Sequence, residues 1–256
     1  MNNQAIGLWD HLLVIAVVGG LPLYAWFSYP GACRRVARFG ESARLREYRE
    51  AVGWQIVWTV AALIAWWHAG RPSSDLGFGP PSGGMTEVVG VALGAAILVF
   101  LVWQRRQVRK GLVSLDGVAE QLANLGPLIP DTLREQRWFR AVAVGAGVSE
   151  EIVWRGFVFW YLGEQVGVWP AAIGVTALFT VAHAYQGLGH LPGILVASSL
   201  TMALRLLTGG LWVPILLHAA TDWIQGDVAR LLRRQLAATS IEFAPDTVRD
   251  DTPGGA

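Results

Sequence analysis

Two adjacent glutamates and an arginine stand inside one of the most apolar stretches of this sequence, SEEIVWRGFVFW at residues 149–160. A carboxylate is costly in hydrocarbon and is rarely kept there without a partner or a chemical task. Glu151 and Arg155 are four residues apart with the acid first, the favourable order for an ion pair on one helix face. Glu150 is rotated by about 100° from Glu151 on a regular helix, so this arginine cannot neutralise it as easily. Glu150 therefore has the surroundings that a general base or acid requires.

Three more ionisable side chains stand in apolar segments downstream. His183 follows Phe179 by four residues in FTVAH, and His218 and Asp222 are also four apart in HAATD. On a helix, the aspartate can hold the imidazole in one tautomer or share a ligand with it. Each residue alone has a structural explanation, because a buried histidine often only packs and a Glu–Arg pair is mainly structural. Their occurrence together, with no comparable groups in the middle of the first three apolar segments, favours a single chemical site.

The segments that must position these residues are expected to be membrane helices. The chain has 256 residues, of which 53% are hydrophobic and 15% charged, whereas soluble domains average about 25% charged residues. Its net charge of +1 carries no basic bias that would indicate nucleic acid as a partner. A span needs about 20 mostly apolar residues. Seven stretches fit, the fourth and seventh with charges inside: Gly7–Tyr29, Ala51–Ala69, Met85–Gln104, Trp138–Leu162, Val168–Tyr185, Leu191–Leu207 and Leu211–Leu232. The sequence therefore predicts an all-α, polytopic transmembrane helical bundle.

Basic residues predict the orientation of these spans, because Arg and Lys are enriched in short cytoplasmic loops. They cluster after the first, third and seventh stretches and before the fourth, whereas Arg71 stands alone in a Gly/Pro-rich turn. Every dense cluster then falls on one side, which predicts an N-out, C-in arrangement. In the long connection after the third stretch, Leu115, Val118, Leu122 and Leu125 have roughly helical spacing and predict an amphipathic surface helix.

The chain divides by its chemistry into three parts. Residues 1–136 hold the first three spans and the long connection, residues 137–234 hold the four spans with the ionisable groups, and residues 235–256 are predicted to form a disordered tail. The lone cysteine, Cys33, excludes an internal disulfide. Arg205 stands near the end of the sixth span, where a long cationic side chain is expected to reach the membrane interface.

Three motifs, in order and each within a predicted span, carry a resemblance to a known family. Residues 150–155 fit EExxxR, residues 179–183 fit FxxxH, and residues 218–222 fit HxxxN/D. This region resembles the CPBP family of intramembrane proteases, which includes the type II CAAX prenyl endopeptidases and bacteriocin-processing or immunity proteins. The resemblance implies a helical bundle whose last four spans enclose a catalytic cavity, open to the cytoplasm and to lipid. It further implies an integral, multi-pass protein of the plasma membrane, here expected to be bacterial.

The resemblance also implies roles for individual residues. Glu150 with His183 would activate a water molecule, and His218 with Asp222 would bind the oxyanion of a tetrahedral intermediate. The remaining motif residues would support the site: Glu151, Arg155 and Phe179. Eukaryotic prenyl proteases typically carry asparagine where this chain has Asp222, and an ionised carboxylate cannot donate to an oxyanion. Either Asp222 stays protonated, or it orients and charges His218, which then donates; we favour the second interpretation.

The same side chains raise the question of a metal ion. Two histidines with one or two carboxylates can form a zinc site that keeps an open position, and the ligands here would be Glu150, His183, His218 and Asp222. The sequence contains no HExxH helix, and the candidate ligands come from three separate spans. We therefore favour a glutamate-dependent mechanism without a cofactor, with zinc as the alternative.

These patterns favour hydrolysis of a peptide bond at or within the membrane. The substrate would be a peptide or a lipidated protein, in CAAX-type or in leader- or bacteriocin-type processing, and membrane lipid would surround the enzyme. A non-catalytic, immunity-like binding protein is one alternative, although a pure binder has no need for four costly buried ionisable groups. A proton-coupled transporter is another, but the sequence shows no internal repeat. Side chains of the last four spans are expected to determine specificity: Trp154, Phe157, Tyr161, Tyr185 and Arg205.

Overall fold

The computed structural model describes residues 6–112 and 126–242, and in this part of the chain every regular element is helical. The all-α prediction is therefore confirmed. The N-terminal helices are α1 Leu8–Ile15, α2 Leu21–Phe39, α3 Glu41–His68 and α4 Met85–Arg109. A π-helical turn, Ala16–Gly20, joins α1 to α2 into one helical column. A second π-helical turn, Ser74–Phe78, lies between α3 and α4.

The C-terminal helices carry all three motifs. They are α5 Leu133–Glu150, α6 Phe159–Val166, α7 Val168–Ala182, α8 Leu191–Thr208 and α9 Trp212–Glu242. A π-helical segment, Glu151–Val158, connects α5 to α6 without a break. Two 3-10 turns, Ala184–Gln186 and Leu188–His190, lead from α7 to α8.

Four of the helical segments are long and apolar enough to cross a membrane: Leu8–Phe39, Met85–Arg109, Val168–Gln186 and Leu188–Thr208. The chain is thus an integral membrane protein. The other three predicted spans also lie within helices, namely α3, the α5–α6 column and α9. The fourth and seventh stretches contain charged side chains, and the count of seven spans stays a prediction.

Two predictions concern the ends and the long connection. The expected amphipathic helix, with Leu115, Val118, Leu122 and Leu125, lies outside the described residues. The predicted tail starts too early, because α9 continues through Gln235 to Glu242. Helix periodicity in this segment is weak in the sequence, which is why the polar composition suggested a tail there. Residues 243–256 are not among those described.

The motif segment lies at the centre of the apolar core. All eight residues of Glu151–Val158 are buried. They pack with Trp66 of α3, with Val175 of α7 and with Leu211 at the start of α9, all of which belong to the same hydrophobic cluster. The N-terminal helices therefore form part of the wall around the segment that carries the two glutamates.

A close approach between α5 and α9 sets the distance between the first and third motifs. A β-carbon at Gly147 would lie 2.6 Å from the backbone nitrogen of Ala219 and 2.7 Å from its β-carbon. Contacts under about 3 Å require backbone to move, so only glycine permits this spacing. Gly147 thereby allows α9 to bring His218, the neighbour of Ala219, next to the glutamate segment.

Ion pairs between helices involve several of the arginines that the sequence predicts to lie on one side of the membrane. Arg44 of α3 pairs with Glu135 of α5 at 2.5 Å. Asp227 of α9 pairs with Arg105 of α4 at 2.9 Å and with Arg140 of α5 at 3.1 Å. Residues from four helices thus meet at one end of the bundle, as expected if these clusters share a membrane face.

Arg71 has a partner that the sequence did not indicate. Its guanidinium donates to both carboxylate oxygens of Asp10, at 2.7 and 2.6 Å, and it lies 4.0 Å from the ring centre of Trp160. Both members of the pair are buried. This pair attaches α1 to the turn after α3, because the two residues are 61 positions apart in the chain.

Candidate active site

The junction between α5 and the π-helical segment separates the two glutamates. Glu150 is the last residue of α5, and Glu151 begins the π-helical turn. The Glu151 side chain is 0% exposed, whereas the Glu150 side chain is 28% exposed. The sequence predicted different surroundings for these two carboxylates, and the structure shows one buried and one partly exposed. The sequence did not predict the π-helical geometry. Such turns are rare in proteins, and those that occur are frequently at functional sites.

Glu151 is held by two groups on the same oxygen atom. Arg155 Nη1 lies 3.2 Å from Glu151 Oε1, so the ion pair predicted from the four-residue spacing is present. His218 Nδ1 lies 2.7 Å from the same oxygen. A carboxylate oxygen only accepts hydrogen bonds, so the proton of this bond is on His218 Nδ1.

This contact corrects one prediction about His218. We expected Asp222 to orient the imidazole, because the two residues share a helix face. The structure instead places Glu151 at Nδ1, whereas Asp222 Oδ2 lies 3.6 Å from the opposite nitrogen, Nε2. The reason is tertiary, since the packing of α5 against α9 places Glu151 at the Nδ1 edge of the ring, whereas Asp222 lies on the Nε2 side.

The four residues predicted to carry the chemistry lie together, with both histidines facing Glu150 and Asp222 facing His218. Its Oε2 atom lies 3.9 Å from His183 Nε2 and 3.9 Å from His218 Nε2. Asp222 faces the same nitrogen of His218. Two imidazole nitrogens and two carboxylates therefore border one partly exposed space.

His183 lies just beyond the last α-helical residue of α7 and still within the segment Val168–Gln186 that can cross a membrane. It is the residue that follows Ala182, with φ −94° and ψ 5°. Its Nδ1 lies 2.8 Å from the carbonyl oxygen of Phe179. The last carbonyl groups of a helix lack partners in the helix, and this imidazole satisfies one of them. Nδ1 is consequently the protonated nitrogen, and Nε2, with its lone pair, faces Glu150.

Phe179 and the two buried arginines form a layer behind the glutamates. The Arg155 guanidinium carbon lies 4.1 Å from the ring centre of Phe179, whose ring is 4.4 Å from that of His183. Arg205 was expected at the membrane interface, and this prediction is wrong. It is 9% exposed, and its Nε donates to the backbone carbonyl of Arg155 at 3.3 Å. The face of α8 that carries Arg205 points inwards, which its position near the helix end does not reveal.

Of the side chains expected to determine specificity, Tyr185 stands beside the site. Its ring centre is 6.1 Å from that of His183, and Tyr29 of α2 packs edge-on against it at 5.2 Å. Trp154 and Phe157 are instead buried in the core. Tyr29 was missed because a single tyrosine at the end of an apolar stretch carries no signal in the sequence.

The structure also has a cavity of about 740 Å³ that does not belong to this site. It lies between α1 and the end of α3 and is lined by residues such as Leu12, Ile64 and His68, with Asp10 and Arg71 at one end. The catalytic cavity predicted in the last four spans remains a prediction.

The donor atoms at the site are of the types that zinc takes. Among residues 6–112 and 126–242, no group of three or more His, Cys, Asp or Glu side chains is placed so that it could hold one. The predicted ligands, Glu150, His183, His218 and Asp222, approach each other in pairs at 3.6 to 3.9 Å. Metal dependence stays a prediction, and no chemical step is derived through a metal.

The fold and the site together define a class: an all-helical membrane protein in which two histidines and three carboxylates meet between helices. A family model described as "Type II CAAX prenyl endopeptidase Rce1-like" matches residues 136–224. The matched region contains all three motifs, and the match confirms the family predicted from them. No curated protein and no solved structure matched the chain.

Proposed function

We propose that this protein is an intramembrane endopeptidase that hydrolyses a peptide bond with a water molecule activated by Glu150. The observation that carries the proposal is the position of Glu150 Oε2, 3.9 Å from the Nε2 atoms of both His183 and His218. These separations exceed a direct hydrogen bond and suit groups that share one water molecule. The family match supports the same class of reaction.

Glu150 and His183 are proposed to activate the water. A carboxylate accepts one proton of the water as its oxygen attacks the carbonyl carbon of the scissile bond. Since the proton of His183 is on Nδ1, facing Phe179, Nε2 can accept the second hydrogen of the water and orient the attack. When the tetrahedral intermediate collapses, Glu150 returns the proton to the leaving nitrogen.

His218 is proposed to stabilise the oxyanion. Glu151 holds the Nδ1–H, so the ring directs Nε2 towards the reacting centre. Glu150, Glu151 and Asp222 lie around this ring, and three carboxylates attract a second proton to Nε2. A protonated Nε2 donates to the developing negative charge, which is usually a large contribution to catalysis.

Asp222 is expected to tolerate conversion to asparagine better than truncation. An amide can donate to an oxyanion, so Asp222→Asn should keep kcat within about tenfold of wild type, whereas Asp222→Ala should lose a hundredfold or more. Steady-state kinetics of the three proteins would measure this. If both variants lost activity equally, the negative charge of Asp222 beside His218 would be essential, and a donor group at position 222 could not replace it.

The proposed hydrolysis is tested by identifying the new peptide termini that the protein produces. Native membranes containing wild type or Glu150→Gln would be incubated in oxygen-18 water, and new peptide termini would be identified by mass spectrometry. We expect new C-terminal carboxylates that carry oxygen-18 with the wild type and not with the variant. Identical termini in both samples would refute hydrolysis, and binding without cleavage would favour an immunity-like binder.

Removal of metal ions is expected to leave this activity intact. The purified protein would be washed with a chelator, analysed for zinc and assayed on a substrate found in the membrane experiment. We expect unchanged kcat and no stoichiometric metal, because Glu150 and the two imidazoles suffice for the proposed proton transfers. Stoichiometric zinc whose loss and return tracked activity would overturn the glutamate mechanism.

A further inference from the structure

Ser198 of α8 lies outside the three motifs and contacts the buried arginine of the first one. Its hydroxyl oxygen accepts a hydrogen bond from Arg155 Nη2 at 2.8 Å. Both residues are 1% exposed. The two are 43 positions apart, so the bond joins α8 to the π-helical segment.

The other nitrogen atoms of this guanidinium have little to orient them. Arg155 Nε and Nη1 have no hydrogen-bond partner within the described residues. Nη1 is held by charge alone, 3.2 Å from Glu151 Oε1. The face of the guanidinium rests on Phe179, a contact that permits rotation in the plane of the group. The directional bonds of Arg155 therefore go to Ser198, through Nη2 to the hydroxyl at 2.8 Å and, more weakly, to the carbonyl oxygen at 3.5 Å.

Glu151 depends in turn on that orientation. Its Oε1 atom receives both Arg155 Nη1 and His218 Nδ1, while Oε2 has no hydrogen-bond partner among residues the structure describes. Any rotation of the guanidinium would shift Oε1, and with it the direction of the His218 ring. Ser198, Arg155, Glu151 and His218 thus form a continuous chain of contacts at 2.8, 3.2 and 2.7 Å.

We propose that Ser198 is a positioning residue for His218, acting through Arg155 and Glu151. The proposal rests on the proposed function, because it assigns to Ser198 the fixing of the imidazole that supports the oxyanion. The serine touches no reacting atom. Its hydroxyl sets which way the guanidinium faces, and the carboxylate passes that geometry to the ring.

Kinetics give the first test. Ser198→Ala is expected to lower kcat about tenfold with KM unchanged, the loss expected for one hydrogen bond to a charged group in the transition state. Ser198→Thr keeps the hydroxyl and should retain most of kcat. Ser199→Ala is the matched control, because it removes the same group from an exposed neighbour on the same helix. Equal kcat for Ser198→Ala and wild type would overturn the proposal.

A double-mutant cycle separates positioning from general packing. In a Glu151→Gln background the chain of contacts is already broken, so Ser198→Ala should produce little further loss of kcat. A serine that only fills space would lower kcat by the same factor in both backgrounds, and that result would refute the proposal.

A spectroscopic measurement decides the matter without turnover. In protein labelled with nitrogen-15 histidine, the Nδ1 resonance of His218 is assigned by its loss in His218→Gln. We expect this resonance to move in Ser198→Ala and to stay in place in Ser199→Ala. An unmoved resonance would refute the positioning role, whereas absence of hydrolysis by wild type would refute the proposed function alone.

Discussion

Glu150→Gln is expected to lower kcat by at least about a hundredfold, because a general base contributes that much or more to a hydrolytic step. Glutamine keeps the shape of the side chain but cannot accept the proton of the attacking water. Since Glu150 is partly exposed and Arg155 contacts Glu151 rather than Glu150, its neutralisation leaves no buried cation without a partner. KM and the thermal unfolding midpoint should therefore stay close to those of the wild type.

The matched control is Glu41→Gln, the same change at an exposed position at the start of α3. This variant should keep both kcat and KM. Both constants would be measured on purified protein in liposomes, with unfolding followed separately in detergent. If Glu150→Gln kept full activity while Glu151→Gln lost it, the base would have to be reassigned to Glu151, acting through His218.

Arg155→Met is expected to destabilise the protein by about 3–5 kcal/mol, the range for breaking a buried ion pair on one side. The methionine fills much of the volume, but it leaves the Glu151 carboxylate charged and fully buried. Thermal or denaturant unfolding in detergent micelles would measure the change. Arg46→Met provides the control, because Arg46 also pairs with a glutamate four residues away, at the surface, and its unfolding midpoint should not change.

A second substitution distinguishes lost charge balance from lost packing. Glu151→Leu combined with Arg155→Met removes both charges, and a buried pair replaced by apolar groups often recovers its stability. The double variant should therefore unfold near the wild-type midpoint and yet remain inactive, since His218 has lost its Nδ1 partner. A double variant as unstable as Arg155→Met alone would show that packing dominates.

The two predictions test different halves of one arrangement. Glu150 is the partly exposed carboxylate that faces both imidazoles, and Glu151 is the fully buried carboxylate that contacts His218 Nδ1. Loss of activity with stability intact in the first case, and loss of both in the second, would separate chemistry from support. The site then resembles other catalytic pairs in which two like groups are assigned different work by their surroundings.

The helices and one ion pair of the site could be predicted from the sequence, because both depend on local periodicity. Runs of apolar residues predicted helices, and helical segments cover most of each of the seven predicted spans. The four-residue spacing of Glu151 and Arg155 predicted their ion pair, because neighbours on a helix face are set by the helix itself. Motif order and spacing predicted the family, and the rotation of about 100° per residue on a helix predicted different surroundings for Glu150 and Glu151.

Tertiary packing decided the contacts between different helices. These contacts join residues that are far apart in the sequence, where periodicity cannot predict which side chains meet. His218 and Glu151 are 67 positions apart, and their bond arises only because α9 packs closely on α5 beside Gly147. The inward position of Arg205 and its contact with Arg155 likewise depend on which face α8 turns to its neighbours. The sequence by itself thus determined which residues are chemically able to act. Only the folded bundle decided that Glu151, rather than Asp222, holds the imidazole, because the partner of a buried ring nitrogen is chosen by the helices that meet there.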